Sequence, residues 1–203
     1  MSVTVRLFTN IFVALALVAD VFAIWVLIAG LAWVARFRRP LDATAAAIAG
    51  WARALAVAVA ATATAGSLFY SEVAGFVPCQ LCWYQRAVMY PLVVVLAVGF
   101  WPPARRITRW LGMAMALGGA GIAFYHWLVE RIPSLAASTS CSVTVPCSVP
   151  WFTRLGFVTI AWMAFSGFVG ILALLVCEAR AASANGAGSA RLSAVDSSSE
   201  ENL

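Results

Sequence analysis

Five apolar runs, each about long enough to cross a lipid bilayer, limit what this chain can fold into. They cover about residues 7–35, 54–74, 83–100, 110–127 and 155–176, and roughly 20 apolar residues make a membrane-spanning helix. Only 10% of the residues are charged, against roughly a quarter in soluble domains. Because lipid offers backbone groups no hydrogen-bond partners, we expect these runs to be helices packed as a bundle. The sequence therefore predicts an all-α membrane protein.

The arginines predict which end of each span faces the cytoplasm. All thirteen basic residues are arginines, and the positive-inside rule places the excess of them in cytoplasmic loops. With the N-terminus outside, nine fall inside, at positions 36, 38, 39, 53, 105, 106, 109, 180 and 191, and four fall outside, at 6, 86, 131 and 154. These arginines flank apolar spans and form no basic patch, so we expect no nucleic-acid partner. The small, polar, serine-rich tail of residues 178–203 predicts a disordered cytoplasmic segment.

Two cysteines two residues apart, Cys79 and Cys82, precede the third span in the segment PCQLCWYQR, residues 78–86. An apolar run follows at once, so the pair should lie at a helix N-terminus, where the helix dipole and free N–H groups favour the thiolate. Arg86 lies about one helical turn after Cys82, and its charge would lower the pKa of a neighbouring thiol further. This arrangement is typical of a reactive dithiol, although a zinc site or a structural disulfide can have the same spacing.

A second cysteine pair, Cys141 and Cys147, lies in a proline-containing loop between the fourth and fifth spans. The predicted topology places both pairs on the extracytoplasmic side, where disulfides persist. Thiol–disulfide exchange passes oxidising equivalents between such pairs. A soluble partner would reach the loop pair, and a lipid-soluble acceptor such as a quinone would reach the pair at the bundle mouth. We interpret Cys177 as an unpaired buried thiol and Asp20, inside the first span, as a carboxyl group partnered within the bundle.

The segment of residues 78–86, followed by Met89-Tyr90-Pro91-Leu92, resembles the DsbB/BdbC family of bacterial thiol oxidases. Residues 70–76 are similar to the actinobacterial branch, and residues 125–128, YHWL, are similar to the family segment that leads into the second outer loop. The resemblance covers about residues 51–177. It implies a four-helix transmembrane bundle at 43–177 in the bacterial cytoplasmic membrane. One extra N-terminal transmembrane helix and an arginine cluster, residues 1–42, would precede the bundle, and the tail 178–203 would follow it.

The resemblance also implies a function. The protein would re-oxidise a DsbA-like thioredoxin-fold thiol oxidase outside the cytoplasm and pass the electrons to a membrane quinone, menaquinone or ubiquinone. Cys141 would be attacked by the reduced partner, and Cys147 would form an inter-loop disulfide with Cys79. Cys82 would then be the thiolate that contacts the quinone ring.

Two further residues take roles from the resemblance, and two other interpretations stay open. Arg86 would steady the Cys82 thiolate and a quinone oxygen, His126 would lie near the quinone, and no metal is expected.

A vitamin K epoxide reductase homologue is also a quinone-linked bundle with four cysteines, but its loop pair precedes the CxxC in sequence. A non-enzymatic membrane protein with disulfide-stapled or zinc-binding outer loops would leave Arg86 without a role.

Overall fold

A computed structural model describes residues 3–35, 39–138, 141 and 145–200, with the backbone alone at 137–138 and 188–200. The helices of this part of the chain are α1 (Val3–Val34), α2 (Arg39–Ile48), α3 (Ala52–Leu68), α4 (Gln80–Val98), α5 (Arg105–Val129), α6 (Pro133–Ser138) and α7 (Ile160–Glu200). A π-helical turn, Phe69–Val73, continues α3. No strand is present in the described ranges.

The five predicted membrane spans are confirmed as helices. Within the described residues, five helical stretches are long and apolar enough to cross a membrane: Val3–Val34, Ala52–Val73, Gln80–Val98, Pro102–Val129 and Ile160–Ala187. The fold is an all-α transmembrane bundle of four helices, α3, α4, α5 and α7, with α1 as the additional helix. The end of the bundle at Cys79 is called the cysteine end below, and the end at Arg53 and Arg105 is called the arginine end.

Small residues allow the four bundle helices to approach one another closely. The core consists of alanines on α3 and α5 that face larger side chains of α4 and α7, and its members include Ala56, Ala60, Leu92, Leu96, Ala116, Phe168, Ile171 and Leu175. A Cβ atom added at Gly119 would collide with the Phe168 ring. The helices therefore pack as the sequence of small residues predicts for spans in lipid.

Helix α1 lies against the bundle and is held there by polar as well as apolar contacts. Asp20 accepts a hydrogen bond from Trp162 Nε1 of α7, with a donor–acceptor distance of 3.0 Å. Thr9 accepts one from the Tyr70 hydroxyl at 3.2 Å. An unpaired carboxylate in lipid would be costly, and the structure agrees with the interpretation of Asp20 as a partnered group.

The segment between the first and second spans contains a short helix, α2. Helix α2 buries Leu41 and Ala45 against α1 and α7. Arg36 and Arg38, which support the predicted topology, lie outside the described residues. At the other end of the chain, α7 continues as helix to Glu200, through a segment whose composition predicts disorder. Its many alanines favour helix, while residues 201–203 lie outside the described part.

The arginine end contains a buried ion pair. The Arg53 guanidinium donates to both Glu178 carboxylate oxygens, at 3.1 and 2.9 Å, and both side chains are at most 3% exposed. Arg105 donates to the same carboxylate at 2.7 Å. A Cβ atom at Gly99 would occupy the position of the Arg53 guanidinium. Arg53 therefore ties α3 to α7, a role that its place among the nine predicted cytoplasmic arginines does not reveal.

Candidate functional site

The backbone around Cys79 explains how the first cysteine pair is presented. Gly75 adopts a φ of 70° at the end of the π-helical turn, a conformation that favours glycine. An extended stretch leads to Cys79, which is the N-cap of α4 and accepts a hydrogen bond from the Cys82 amide at 3.3 Å. The prediction that the CxxC lies at a helix N-terminus agrees with the structure.

The two sulfur atoms of the CxxC lie close together without being bonded. The distance from Cys79 Sγ to Cys82 Sγ is 2.7 Å, and both thiols are free. A disulfide bond between them, about 2.05 Å long, would need only a small movement. Cys79 is buried, while Cys82 is partly exposed. The pair can therefore interconvert between dithiol and disulfide with little change in the backbone.

His126 of α5 contacts Cys79. Its Nε2 atom lies 3.6 Å from Cys79 Sγ, and its Nδ1 atom lies 2.9 Å from Gln85 Nε2. An amide nitrogen only donates, so Nδ1 accepts and Nε2 carries the proton that points to the sulfur. The carboxylate of Glu130, one helical turn after His126, is 4.0 Å from Nε2 and accepts from the Thr159 hydroxyl at 2.6 Å.

Sequence reasoning found His126 but not its partners. Gln85 belongs to the quoted CxxC segment, and Glu130 follows His126 by four residues on the same helix face. Both signals were available in the sequence. Thr159, by contrast, comes from a distant loop, and no local pattern links it to the cysteines. The backbone of Cys147 also interacts with the His126 ring, so this ring lies between the two cysteine pairs.

The surroundings of Cys79 favour its ionised form. The hydrogen bond from Cys82 lowers the pKa of the Cys79 thiol, and the His126 ring and the Cys82 amide act in the same direction against the opposing effect of burial. These surroundings favour negative charge on Cys79, the cysteine at the helix N-terminus. Burial raises the pKa of the Glu130 carboxyl, although the hydrogen bond from the Thr159 hydroxyl opposes this effect.

The second cysteine pair lies at the same end of the bundle. Cys141 and Cys147 form a disulfide. They pack with Cys79, Cys82 and apolar neighbours that include Leu81, Val129, Val145, Leu135 and Ala136. This set is called the four-cysteine cluster below. Loop residues 139–140 and 142–144 are outside the described part of the chain. Cys177 is buried and free, and it precedes Glu178 at the arginine end of the bundle.

A cavity of about 650 Å³ opens beside the CxxC, and its lining is mostly apolar. Cys82 and Arg86 both line it. The Arg86 guanidinium is held by Ser67 of α3, whose hydroxyl accepts from Nε and whose backbone carbonyl accepts from NH2, both at 2.9 Å. His126 is not among the lining residues, because its ring is turned toward Cys79. Its predicted place near a quinone stays a prediction.

The same cluster contains three groups of the type that bind metals. The donor atoms of Cys79, Cys82 and His126 lie within 4.8 Å of one another. Two sulfur ligands on a tetrahedral zinc ion, each about 2.3 Å from the metal, would be roughly 3.8 Å apart. The sulfur atoms here are 2.7 Å apart, a spacing that suits sulfur–sulfur chemistry better than zinc.

Comparison with known proteins gives the family. The model of the family described as disulfide bond formation protein DsbB matches residues 49–177. The chain belongs to the DsbB family. Disulfide bond formation protein C of Bacillus subtilis is 39% identical over 114 residues, which are 56% of this chain and 82% of that protein. No solved structure matches the chain.

Two further relatives are similar. The probable disulfide formation protein of Oceanobacillus iheyensis is 42% identical over 114 residues, 55% of this chain and 77% of that protein. The probable disulfide formation protein C of Halalkalibacterium halodurans is 37% identical over 110 residues, 54% of this chain and 80% of that protein. Together with the five apolar helices, membership of the DsbB family makes this chain a multi-pass membrane protein of disulfide formation, a family that implies thiol oxidase activity.

Proposed function

We propose that this DsbB-family protein oxidises the dithiol of a soluble thioredoxin-fold, DsbA-like partner and transfers the two electrons to a membrane quinone. The observation that carries the proposal is the position of Cys82. Its sulfur belongs to the four-cysteine cluster and also lines the apolar cavity. Cys82 is therefore the point at which thiol exchange and a lipid-soluble acceptor would meet.

The residues around the cavity suit a quinone. Its walls are mostly apolar, which favours a lipid-soluble molecule. Arg86 lies on the same wall as Cys82, and its guanidinium is held in one orientation by two hydrogen bonds to Ser67. A fixed cation can hold the negative charge that develops on a carbonyl oxygen. A bound quinone supplies the two-electron acceptor of the reaction and becomes the hydroquinone by taking up two electrons and two protons.

Partner oxidation would begin at the loop disulfide. A partner thiolate attacks Cys141 and forms a mixed disulfide, which releases Cys147 as the thiolate. The second partner thiol then attacks the partner sulfur of the mixed disulfide and releases Cys141. The partner leaves as a disulfide, and the loop pair keeps its two electrons and two protons as a dithiol.

Exchange with the CxxC would restore the loop disulfide. Cys147 attacks Cys79 of a Cys79–Cys82 disulfide and releases Cys82. Cys141 then attacks Cys147, which re-forms the loop disulfide and releases Cys79. This last arrangement, with the loop pair bonded and the CxxC reduced, is the bonding pattern of the structure.

The CxxC dithiol would then donate its electrons at the cavity. Cys79 holds the negative charge, so the proton between the sulfurs must move from Cys82 to Cys79 before Cys82 can act as the nucleophile. The 2.7 Å separation gives that proton a direct path. The Nε2–H group of His126 would stabilise the Cys79 thiolate that forms again when Cys79 loses this proton. That thiolate would then attack Cys82 and close the Cys79–Cys82 disulfide as the two electrons pass to the acceptor.

The same reasoning supports a location for the protein. We propose the bacterial cytoplasmic membrane, with the cysteine end facing out of the cytoplasm. The arginine bias predicts this orientation, and a disulfide on that side persists.

Purified protein, a reduced thioredoxin-fold partner and a quinone test the proposal together. We expect stoichiometric partner oxidation and quinone reduction, and loss of turnover when any cysteine of the two pairs is replaced by serine. Replacement of Cys177 by alanine should leave turnover nearly unchanged and is the matched control. A fully active Cys141→Ser variant would show that the two pairs do not form a relay.

A zinc-binding outer loop is the second candidate, because Cys79, Cys82 and His126 group their donor atoms. Zinc needs thiolates, whereas the relay needs a disulfide in each cycle. Metal analysis with thiol counting before and after reduction separates the two. Stoichiometric zinc with two extra thiols in unreduced protein would favour the zinc site.

A further inference from the structure

We propose that α1, which lies outside the matched region 49–177, forms a wall of the quinone site and binds the prenyl tail of the quinone. This inference rests on the proposed function and extends it: the ring would lie at the cysteine end, and the tail would lie between α1 and the bundle.

One face of α1 lines the cavity. Its lining residues include Phe12, Leu15, Ala16, Ala19 and Phe22. Spacings of three and four residues place them in one stripe along the helix. The opposite side of the cavity is built by α3, α4 and α7. Helix α1 therefore converts what would be an open lipid-facing groove of the four-helix bundle into a site with two sides.

The cavity is elongated parallel to the helices. Along α3 and the π-helical turn that continues it, the lining extends from Leu55 to Tyr70, and fifteen helical residues rise about 22 Å. That length is more than two thirds of a hydrocarbon core of about 30 Å. Cys82 and Arg86 line the cavity near one end only, at the cysteine end. A ring positioned there would leave most of the cavity to an apolar chain.

The wall is fixed in place by contacts at both of its ends. On the cysteine side of the stripe, Thr9 bonds to Tyr70. Farther along the helix, Asp20 bonds to Trp162, and Ala19 lies 3.2 Å from the position of a Cβ atom at Gly170. A helix that only anchored the chain would not need a carboxyl group bonded inside the membrane. These contacts orient the cavity-lining face toward the bundle.

A chemical consequence follows for quinone selection. Without α1, the tail would leave the lipid for a groove that is still open to lipid on one side. Binding would then gain little free energy, because both environments are apolar. With α1, the tail is enclosed by close-packed side chains and gains dispersion contacts, so binding should strengthen as the tail is lengthened. Ring recognition, which depends on Cys82 and Arg86, should not depend on α1.

A larger side chain on the cavity-lining face of α1 tests whether this helix forms a wall of the quinone site. Ala16 is buried and lines the cavity, while Ala14, two residues earlier, is exposed and does not. We compare Ala16→Phe with Ala14→Phe in the full-length protein. Dissociation constants are measured for menadione, which has no tail, and for a long-tailed menaquinone, from quenching of tryptophan fluorescence, since Trp151 lines the cavity.

We expect Ala16→Phe to weaken binding of the long-tailed quinone about tenfold, because the inserted ring occupies space that the tail would fill and overpacking a close-packed site typically costs about that factor or more. Menadione should bind within about twofold of the wild type, and Ala14→Phe should leave both constants unchanged. If Ala16→Phe does not fold, Leu15→Ser, at a half-exposed lining position, should weaken tail binding severalfold, while Leu31→Ser, at an exposed position outside the cavity, should not.

Two results would overturn the inference. Equal affinity for both quinones in the wild type would show that the tail is not bound, and a lipid acyl chain would then be the occupant. Unchanged tail binding in both cavity variants would show that α1 is not its wall. If the wild type oxidises the partner with menadione, either result leaves the proposed function intact. If the wild type reduces no quinone at all, the proposed function itself fails.

Discussion

Replacing His126 by alanine should raise the pKa of Cys79, because it removes the Nε2–H group that faces the Cys79 sulfur. A hydrogen bond to a charged group contributes about 1.5–3 kcal/mol. The 3.6 Å distance from Nε2 to Sγ is long for such a bond, so we take the lower end of that range. At roughly 1.4 kcal/mol per pKa unit, the pKa of Cys79 should rise by about one unit.

The assay needs Cys79 as the only free thiol. In the Cys82→Ser, Cys177→Ala background the loop pair remains a disulfide, and the serine hydroxyl can still donate to Cys79. Thiolate ultraviolet absorbance, followed against pH, then gives the pKa of Cys79 with and without His126. Because the folded pKa of Cys79 is lowered, its thiolate should persist well below neutral pH and be lost as the pH falls through that value. In the His126→Ala variant this loss should occur at higher pH.

Two control variants test whether the change in the Cys79 pKa is specific to His126. Tyr125 precedes His126 on α5 but is partly exposed, so Tyr125→Ala should leave the pKa of Cys79 unchanged. Gln85→Leu removes the bond that fixes the proton on Nε2 and should raise the pKa by a smaller amount than His126→Ala. An identical titration of Cys79 in the wild-type and His126→Ala backgrounds would refute the assignment of His126 as a stabiliser of the thiolate.

Three further predictions follow from the same geometry. Arg86→Lys should fold normally but raise the apparent quinone KM severalfold, because an ammonium group cannot reproduce the guanidinium geometry held by Ser67. Equal KM values for the wild type and this variant would show that Arg86 serves only as an anchor at the membrane interface. Cys141→Ser should stop partner oxidation while a small dithiol is still oxidised through the CxxC, and failure of both reactions in a folded variant would contradict the two-stage order. Glu178→Ala should lower the free energy of unfolding by about 3–5 kcal/mol, because it leaves Arg53 buried without its carboxylate. Glu72→Ala, at an exposed position, is the control, and equal thermal unfolding of the two variants would argue against the pair.

Local patterns in the sequence predict the spans and the reactive groups. Twenty-residue apolar runs specify membrane helices, and the CxxC with its following helix specifies a dithiol at an N-terminus. The position of Arg86 beside the cavity also follows from helical spacing, since it is one turn from Cys82.

Contacts between distant parts of the chain could not be predicted in the same way. Every span is apolar on most of its surface, so hydropathy does not show which face meets which neighbour. The pairing of Arg53 with Glu178 and the approach of Asp20 to Trp162 depend on that choice of face. Thr159 meets Glu130 for the same reason, because the packing of α5 beside the start of α7 brings them together. The cavity wall formed by α1 is likewise a property of packing.

The buried ion pair at the arginine end sets an order for assembly of the protein in the membrane. Glu178 follows Arg53 by 125 residues, and at roughly 5–20 residues per second the ribosome adds it about 6–25 s later. During that interval the guanidinium has no carboxylate and must remain in water or among lipid headgroups, because an unpaired charge cannot be buried. Helix α3 therefore cannot reach its final depth until α7 has been synthesised and inserted. The fourth helix of the bundle to be synthesised therefore fixes the position of the first.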